Sequence, residues 1–202
     1  MYKNFASLAF TDQVKEFQKR LGSRGTYELV EKRHVVTGLT ESEIEFITNR
    51  DSFYMASIGE NGFPYIQHRG GPKGFVKVID TNTIGFIDFA GNKQYITVGN
   101  LSTKNNVALI LMDYAAQARL KIYARAELIE LNARPDLFKL LSLENYKHRP
   151  ERMILLHIEA YDWNCPQHIT PRYTEEEIEE ALAPQREYIK KLEAELKELK
   201  SK

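Results

Sequence analysis

The sequence predicts a small, mainly antiparallel β-barrel with helices before and after it, and three observations carry that reading. Phe53 to Ile58 and Phe63 to His68 are rich in aromatic and β-branched residues. They flank Glu60-Asn61-Gly62, whose Asn-Gly pair supplies the two positive φ values of a tight hairpin. Gly74 to Ile79 and Thr83 to Phe89 form a second such pair around Asp80-Thr81-Asn82, short polar residues that bond back to nearby backbone. Ala118 to Leu131 alternates, with Leu120, Ile122, Ala124, Ala126 and Leu128 on one face and Arg119, Lys121, Tyr123, Arg125 and Glu127 on the other. The first face is core; the second is wet, or faces a ligand or subunit.

The remaining elements follow in chain order. Residues 1–50 read as a helical extension. Thr11-Asp12-Gln13-Val14 opens an amphipathic helix that Leu21-Gly22 ends, and Gly22-Ser23-Arg24-Gly25 is a plain loop. Thr40 caps the next helix, with Glu43 completing a capping box and Ile44, Phe46 and Ile47 available to the core. Residues 51–172 hold the barrel. Val107 to Met112 is an apolar run and a buried strand, Tyr114 to Gln117 turns the chain, and Pro135 to Leu143 is a short helix with proline in its first turn. Met153 to Tyr161 is the last strand, and Trp163 to Arg172 is a proline-rigidified loop. Thr174 to Glu177 is another capping box, opening a tail helix over 173–202 that Pro184 interrupts or kinks. Ile178, Leu182, Gln185, Ile189, Leu192, Leu196 and Leu199 recur there at steps of four and three. This heptad seam either zips two chains together or lies on its own barrel.

One edge of the barrel gathers chemistry. Gln67-His68-Arg69-Gly70-Gly71-Pro72-Lys73-Gly74 links the two hairpins, and its glycines let backbone approach a ligand closely. After the fourth strand, Asn92 reads as the N-cap of a helix whose free N–H groups and positive dipole end would point outward. A phosphate suits that position. With Arg69, Lys73 and Lys93 converging, the edge fits a phosphate ester better than a bare carboxylate, because arginine grips two oxygens at once. Each cation alone reads as solvated surface, so the cluster is more informative than its members.

The segments DSFYMAS, NGFPYIQHRGGPKGF, GFIDFAGNKQYITVGNL, VALILMDY, RLKIYARAEL and YDWNCPQHITPR resemble the pyridoxamine 5'-phosphate oxidase-like flavoproteins of the FMN-binding split-barrel superfamily. The likeness is to the branch described as predicted flavin-nucleotide-binding proteins. It implies a six- or seven-stranded antiparallel split barrel, a homodimer, and FMN in a cleft at the dimer interface with its phosphate on basic side chains. Carried onto this chain, the resemblance sets Gln67, His68, Arg69 and Gly70 along the flavin and Asp88 and Phe89 at the edge of its ring. Asn92, Lys93, Gln94, Thr97 and Asn100 join the same cofactor-binding set, and Arg119 reaches the flavin from the neighbouring subunit. The chain also departs from the oxidases. They carry an arginine where Gln67 stands and an Arg-Lys pair where Ile96-Thr97 stands, so Arg69, Lys73 and Lys93 would supply the phosphate charge. The oxidases' C-terminal substrate motif is missing. The resemblance therefore carries flavin binding and not pyridoxamine 5'-phosphate oxidation.

Composition narrows the alternatives. The 202 residues, 43% hydrophobic, suffice for one well-filled core. With 28 basic and 28 acidic residues there is no global field to attract nucleic acid or an anionic membrane, so any anion site is local. One cysteine fits a reducing cytoplasm, and the sequence predicts neither a spanning helix nor a secretory leader. Cys165 and His168 have no second His/Cys pair at metal spacing, so no metal site is expected, and the proline-rich loop is expected to wall the flavin cleft of the partner subunit. His168 is the candidate proton-handling group, because its ordinary pKa lies near neutrality. The functional expectation is an FMN-dependent oxidoreductase of unspecified substrate. The alternative is a non-catalytic module on the same fold that binds flavin, haem or a deazaflavin as a sensor or store.

Overall fold

A computed structural model describes residues 4–33, 37–163 and 167–201, and Cys165 lies outside the described residues. The elements run α1 (Phe5–Ala9), α2 (Asp12–Arg20), α3 (Arg24–Arg33), α4 (Glu41–Thr48), β1 (Ser52–Ile58), β2 (Pro64–Gly70), β3 (Lys77–Asp80), β4 (Thr83–Phe89), α5 (Ile96–Thr103), β5 (Asn106–Asp113), β6 (Ala118–Ile129), α6 (Pro135–Leu141), β7 (Pro150–Trp163) and α7 (Glu175–Lys200). Seven strands form one antiparallel sheet in the order β2-β1-β5-β6-β7-β4-β3. The sheet does not close by backbone pairing, which makes it a split barrel. The split is crossed by side chains: Arg69 on β2 forms an ion pair with Asp88 on β4, although these strands are not ladder neighbours.

The core follows from the alternation. Leu120, Ile122, Ala124 and Ala126 of β6 are buried beside Phe53 and Met55 of β1 and Ile154 and Leu156 of β7. Phe53 stacks on Phe75 at 5.8 Å and meets Phe86 edge-on at 5.4 Å. The first hairpin turn differs from expectation. Of Asn61 and Gly62 only Gly62 takes positive φ, at 84°, and the Gly62 N–H donates to Gly59 C=O at 2.9 Å. The extra residue makes a longer loop than a two-residue hairpin, and one glycine suffices. The Val107–Met112 run alternates buried and half-buried residues, because the second face of β5 is only partly covered.

The helices bring further corrections. Arg24 and Gly25, expected in a loop, begin α3, where the Arg24 side chain donates to Gln18 at 2.6 Å and pairs with Glu31. β7 extends beyond its expected ends to Pro150 and Trp163. α7 runs continuously through Pro184 and does not lie on its own barrel, since none of its side chains is buried. α4 is tied down at Glu43, whose carboxylate accepts from the Thr40 N–H at 2.9 Å, the Thr40 hydroxyl at 2.5 Å, the Tyr161 hydroxyl at 3.1 Å and the Trp163 indole N–H at 2.6 Å. Trp163 also meets Phe46 edge-on at 4.7 Å, the packing role expected of it. Among the described residues, no helix is long and apolar enough to cross a membrane.

Candidate functional site

Where the sheet splits, a cleft of about 210 Å³ opens between the inner face of β2, the end of β4, the start of β7 and the approach to α5. Strand alternation selects its β2 residues. Tyr65, Gln67 and Arg69 point into it, while His68 and Gly70 belong to the opposite face. From β4 come Asp88 and Phe89, and from β7 Glu151 and Arg152, brought level because Asp88 and Arg152 are register partners.

The charges form one network. Buried Asp88 accepts from Arg69 on one oxygen and from Arg152 Nη1 on the other at 2.7 Å, and Arg152 Nη2 reaches Glu151 at 3.1 Å. Burial acts against the Arg152 charge, but hydrogen bonding and attraction from Asp88, then from Glu151, outweigh it and raise its pKa. Arg69 Nε is buried beside this network with no hydrogen-bond partner among the described residues. An unpaired guanidinium donor next to a cleft is a group that a bound anion can stabilise.

The helix approach is shaped for the same purpose. Lys93 and Tyr95 both hold left-handed backbone, at φ 61° and 53°, a conformation that costs a residue with a side chain and that gathers at ligand sites. The expected helix start at Asn92 is therefore corrected. Asn92 accepts from the Gln94 N–H at 3.1 Å, and α5 begins at Ile96 with Tyr95 as N-cap. No side chain caps α5, and Ile96, Thr97 and Val98 of its first turn line the cleft beside the positive end of the dipole. Side-chain bonds fix this start in place: Thr97 to Gln67 at 2.7 Å, Tyr95 to Glu151 at 3.2 Å and Asn100 to Ser57 at 3.0 Å.

The cleft brings together Gln67, Arg69, Asp88, Phe89, Asn92, Lys93, Gln94 and Thr97. Other expected residues lie elsewhere. His68 meets Tyr54 edge-on at 5.4 Å on the outer sheet face, which Arg119 shares. Arg119 Nε is buried there without a partner among the described residues. Lys73 is exposed and does not line the cleft, so the expected convergence of three cations is corrected. Gly70 and Gly71 make room for protein and not for a ligand: a Cβ on Gly71 would lie 2.8 Å from Phe75, and one on Gly70 would lie 3.0 Å from the His68 ring. Asn100 supports α5 from behind, and His168 is exposed and outside the cleft.

Sequence reasoning missed Arg152, Glu151, Tyr65 and Tyr95. The signal for Arg152 was a cation opening an apolar strand, which acquires meaning only once β7 is paired with β4. It also missed the aromatic backing of Phe89, which meets Tyr146 at 5.3 Å and His148 at 5.9 Å, those two being stacked at 4.1 Å.

Residues 39–161 match the family described as Pyridoxamine 5'-phosphate oxidase. No curated protein matches the sequence significantly. Among solved structures, a substituted form of HupZ from Group A Streptococcus is 14% identical, with 62% of this chain and 98% of that chain covered at a TM-score of 0.51. A second HupZ structure from Group A Streptococcus, also 14% identical, covers 67% of this chain and 100% of that one at 0.50. An FMN-binding protein from Syntrophomonas wolfei subsp. wolfei is 14% identical over 73% of this chain and 97% of its own, with a TM-score of 0.45. At such identities the two HupZ structures speak for the fold alone.

Proposed function

This chain belongs to the pyridoxamine 5'-phosphate oxidase family, and on that premise we propose that it is a cytoplasmic flavoprotein, an oxidoreductase that holds FMN non-covalently in the split-barrel cleft at the interface of a homodimer. The observation that carries the reading is the Arg69–Asp88–Arg152 bridge facing the uncapped start of α5. Arg69, Arg152 and Lys93 line the cleft against Asp88 and Glu151, three cations to two carboxylates, leaving one net positive charge for a phosphate. Asp88 holds both guanidinium groups in place before any ligand arrives, which lowers the ordering cost of binding. The cleft is smaller than the roughly 300–1,000 Å³ of ligand sites, so one chain cannot enclose a whole FMN. The reading assigns the remaining wall to a second copy. Bound FMN supplies hydride or electron chemistry, and the protein supplies orientation and electrostatics.

Purified protein is expected to be yellow and to bind FMN in the micromolar range or tighter. Arg69→Ala and Arg152→Ala are each expected to weaken binding by about tenfold to a hundredfold, the worth of one charge-assisted hydrogen bond. A colourless protein that takes up no FMN from excess rejects the proposal. One observation favours the non-catalytic alternative: Asp88 and Glu151, the carboxylates of the cleft, are already engaged by arginine. Reduction of bound FMN by NADH or NADPH, with turnover against an acceptor, decides for the enzyme.

A further inference from the structure

We propose that α7 pairs antiparallel with α7 of a second copy of this chain, in one register set by the charges beside its apolar seam. The helix runs 26 residues without burying a side chain, yet Ile178, Leu182, Ile189, Leu192, Leu196 and Leu199 recur along one side, with Ile189 53% and Leu196 54% exposed. A long helix with an uncovered apolar stripe gains most of its stability from a partner. Pro184 does not obstruct one, because it falls on the side away from the seam and the helix continues through it.

The occupant is argued from charge. Glu179, Arg186, Glu193 and Lys200 stand seven residues apart on one flank of the seam and alternate in sign. The structure verifies that spacing, since Arg186 Nη2 donates to Glu179 at 2.7 Å along the same face. In an antiparallel pair this flank meets its own copy. Minus-plus-minus-plus read backwards is plus-minus-plus-minus, so Glu179 faces Lys200 of the second copy and Arg186 faces its Glu193. Each contact occurs twice by symmetry. The same register sets Leu182 against Leu199 and Ile189 against Leu192. Sliding by one heptad either way opposes Arg186 to its own copy and Glu179 to Glu193, or Arg186 to Lys200 and Glu193 to its own copy. Both shifts set like charge on like. In a parallel pair the flank would face Ala181, Tyr188 and Glu195 instead, leaving Glu195 with Lys200 as the one complementary contact among the described residues. The charged flank is thus self-complementary in one orientation and one register, in which Gln185 of the seam faces Leu196.

The test uses the full chain in a Cys165→Ser background and does not depend on the cofactor. Glu179→Cys and Lys200→Cys proteins are mixed and treated with a short bismaleimide cross-linker. The mixed product is expected to exceed either homodimer several-fold. Adding Arg186→Glu to both proteins should reduce it several-fold, and Arg186→Glu with Glu193→Lys should restore it. Equal or predominant homodimers, no cross-linked product, or a mixed product indifferent to the charge changes would each overturn the proposal.

Discussion

Two buried carboxylates in this protein meet opposite fates. Glu43, at the head of α4, is surrounded by fixed neutral donors: the Thr40 N–H and hydroxyl, the Tyr161 hydroxyl and the Trp163 indole. Asp88, at the end of β4, is held by two arginines, and Arg69 keeps a buried N–H without a partner. A carboxylate saturated by neutral groups of its own fold clamps helix to strand and has nothing left to offer. One paired with cations holds those cations in place at the edge of the cleft. Burial alone therefore does not separate support from site; the chemistry of the partners does.

The sharpest way to break this contrast is Asp88→Ala, which leaves the half-buried Arg69 guanidinium without its carboxylate and Arg152 with Glu151 alone, and is expected to destabilise the protein by about 3 kcal/mol. Thermal unfolding measures it, and a nearly unchanged melting temperature would mean that the bridge does not hold the split together. Glu43→Gln should cost less, about 1–3 kcal/mol, and leave FMN affinity where it was; a parallel loss of affinity would merge the two regions into one.

pH separates them further. Burial opposes the Glu43 charge, but the hydrogen bonds from Thr40, Trp163 and Tyr161 outweigh it and lower its pKa below 4.5. The stability it contributes is present above pH 4.5 and is lost as pH falls through the lower folded value. Burial, then the Glu43 charge, raises the Tyr161 hydroxyl above its ordinary 10.0, so its contribution is present below that pH and is lost as pH rises beyond it. The gap in melting temperature between wild type and Glu43→Gln should narrow below pH 4.5, and Tyr161→Phe should flatten the alkaline fall. Gaps that stay constant with pH would remove the titrating groups from the explanation. The smallest effect expected is for Lys93→Gly, which relieves left-handed backbone and should raise stability by up to about 1 kcal/mol while weakening FMN binding. Loss of stability there would show that the strain is not stored at Lys93.

Much of the fold was legible because its causes are local. Alternation along β6, the capping box at Thr40 and Glu43, and the aromatic and β-branched pairs around Gly62 each act across a few residues and survived into the structure. The start of α5 was misplaced for a local reason of another kind. Asn92 spends its side chain on the Gln94 N–H, and the left-handed residues Lys93 and Tyr95 delay the helix. The site itself was half legible. Arg69 and Asp88 stood out by type, but Arg152, 64 residues beyond Asp88, had no local sign of its role. By itself the sequence determined which segments pair as hairpins and which face of β6 turns inward, since side-chain period and turn chemistry operate between neighbours. Only the tertiary structure decided which cations meet which carboxylate, because charge compensation acts through space and is settled when the open sheet curls until β2 reaches β4.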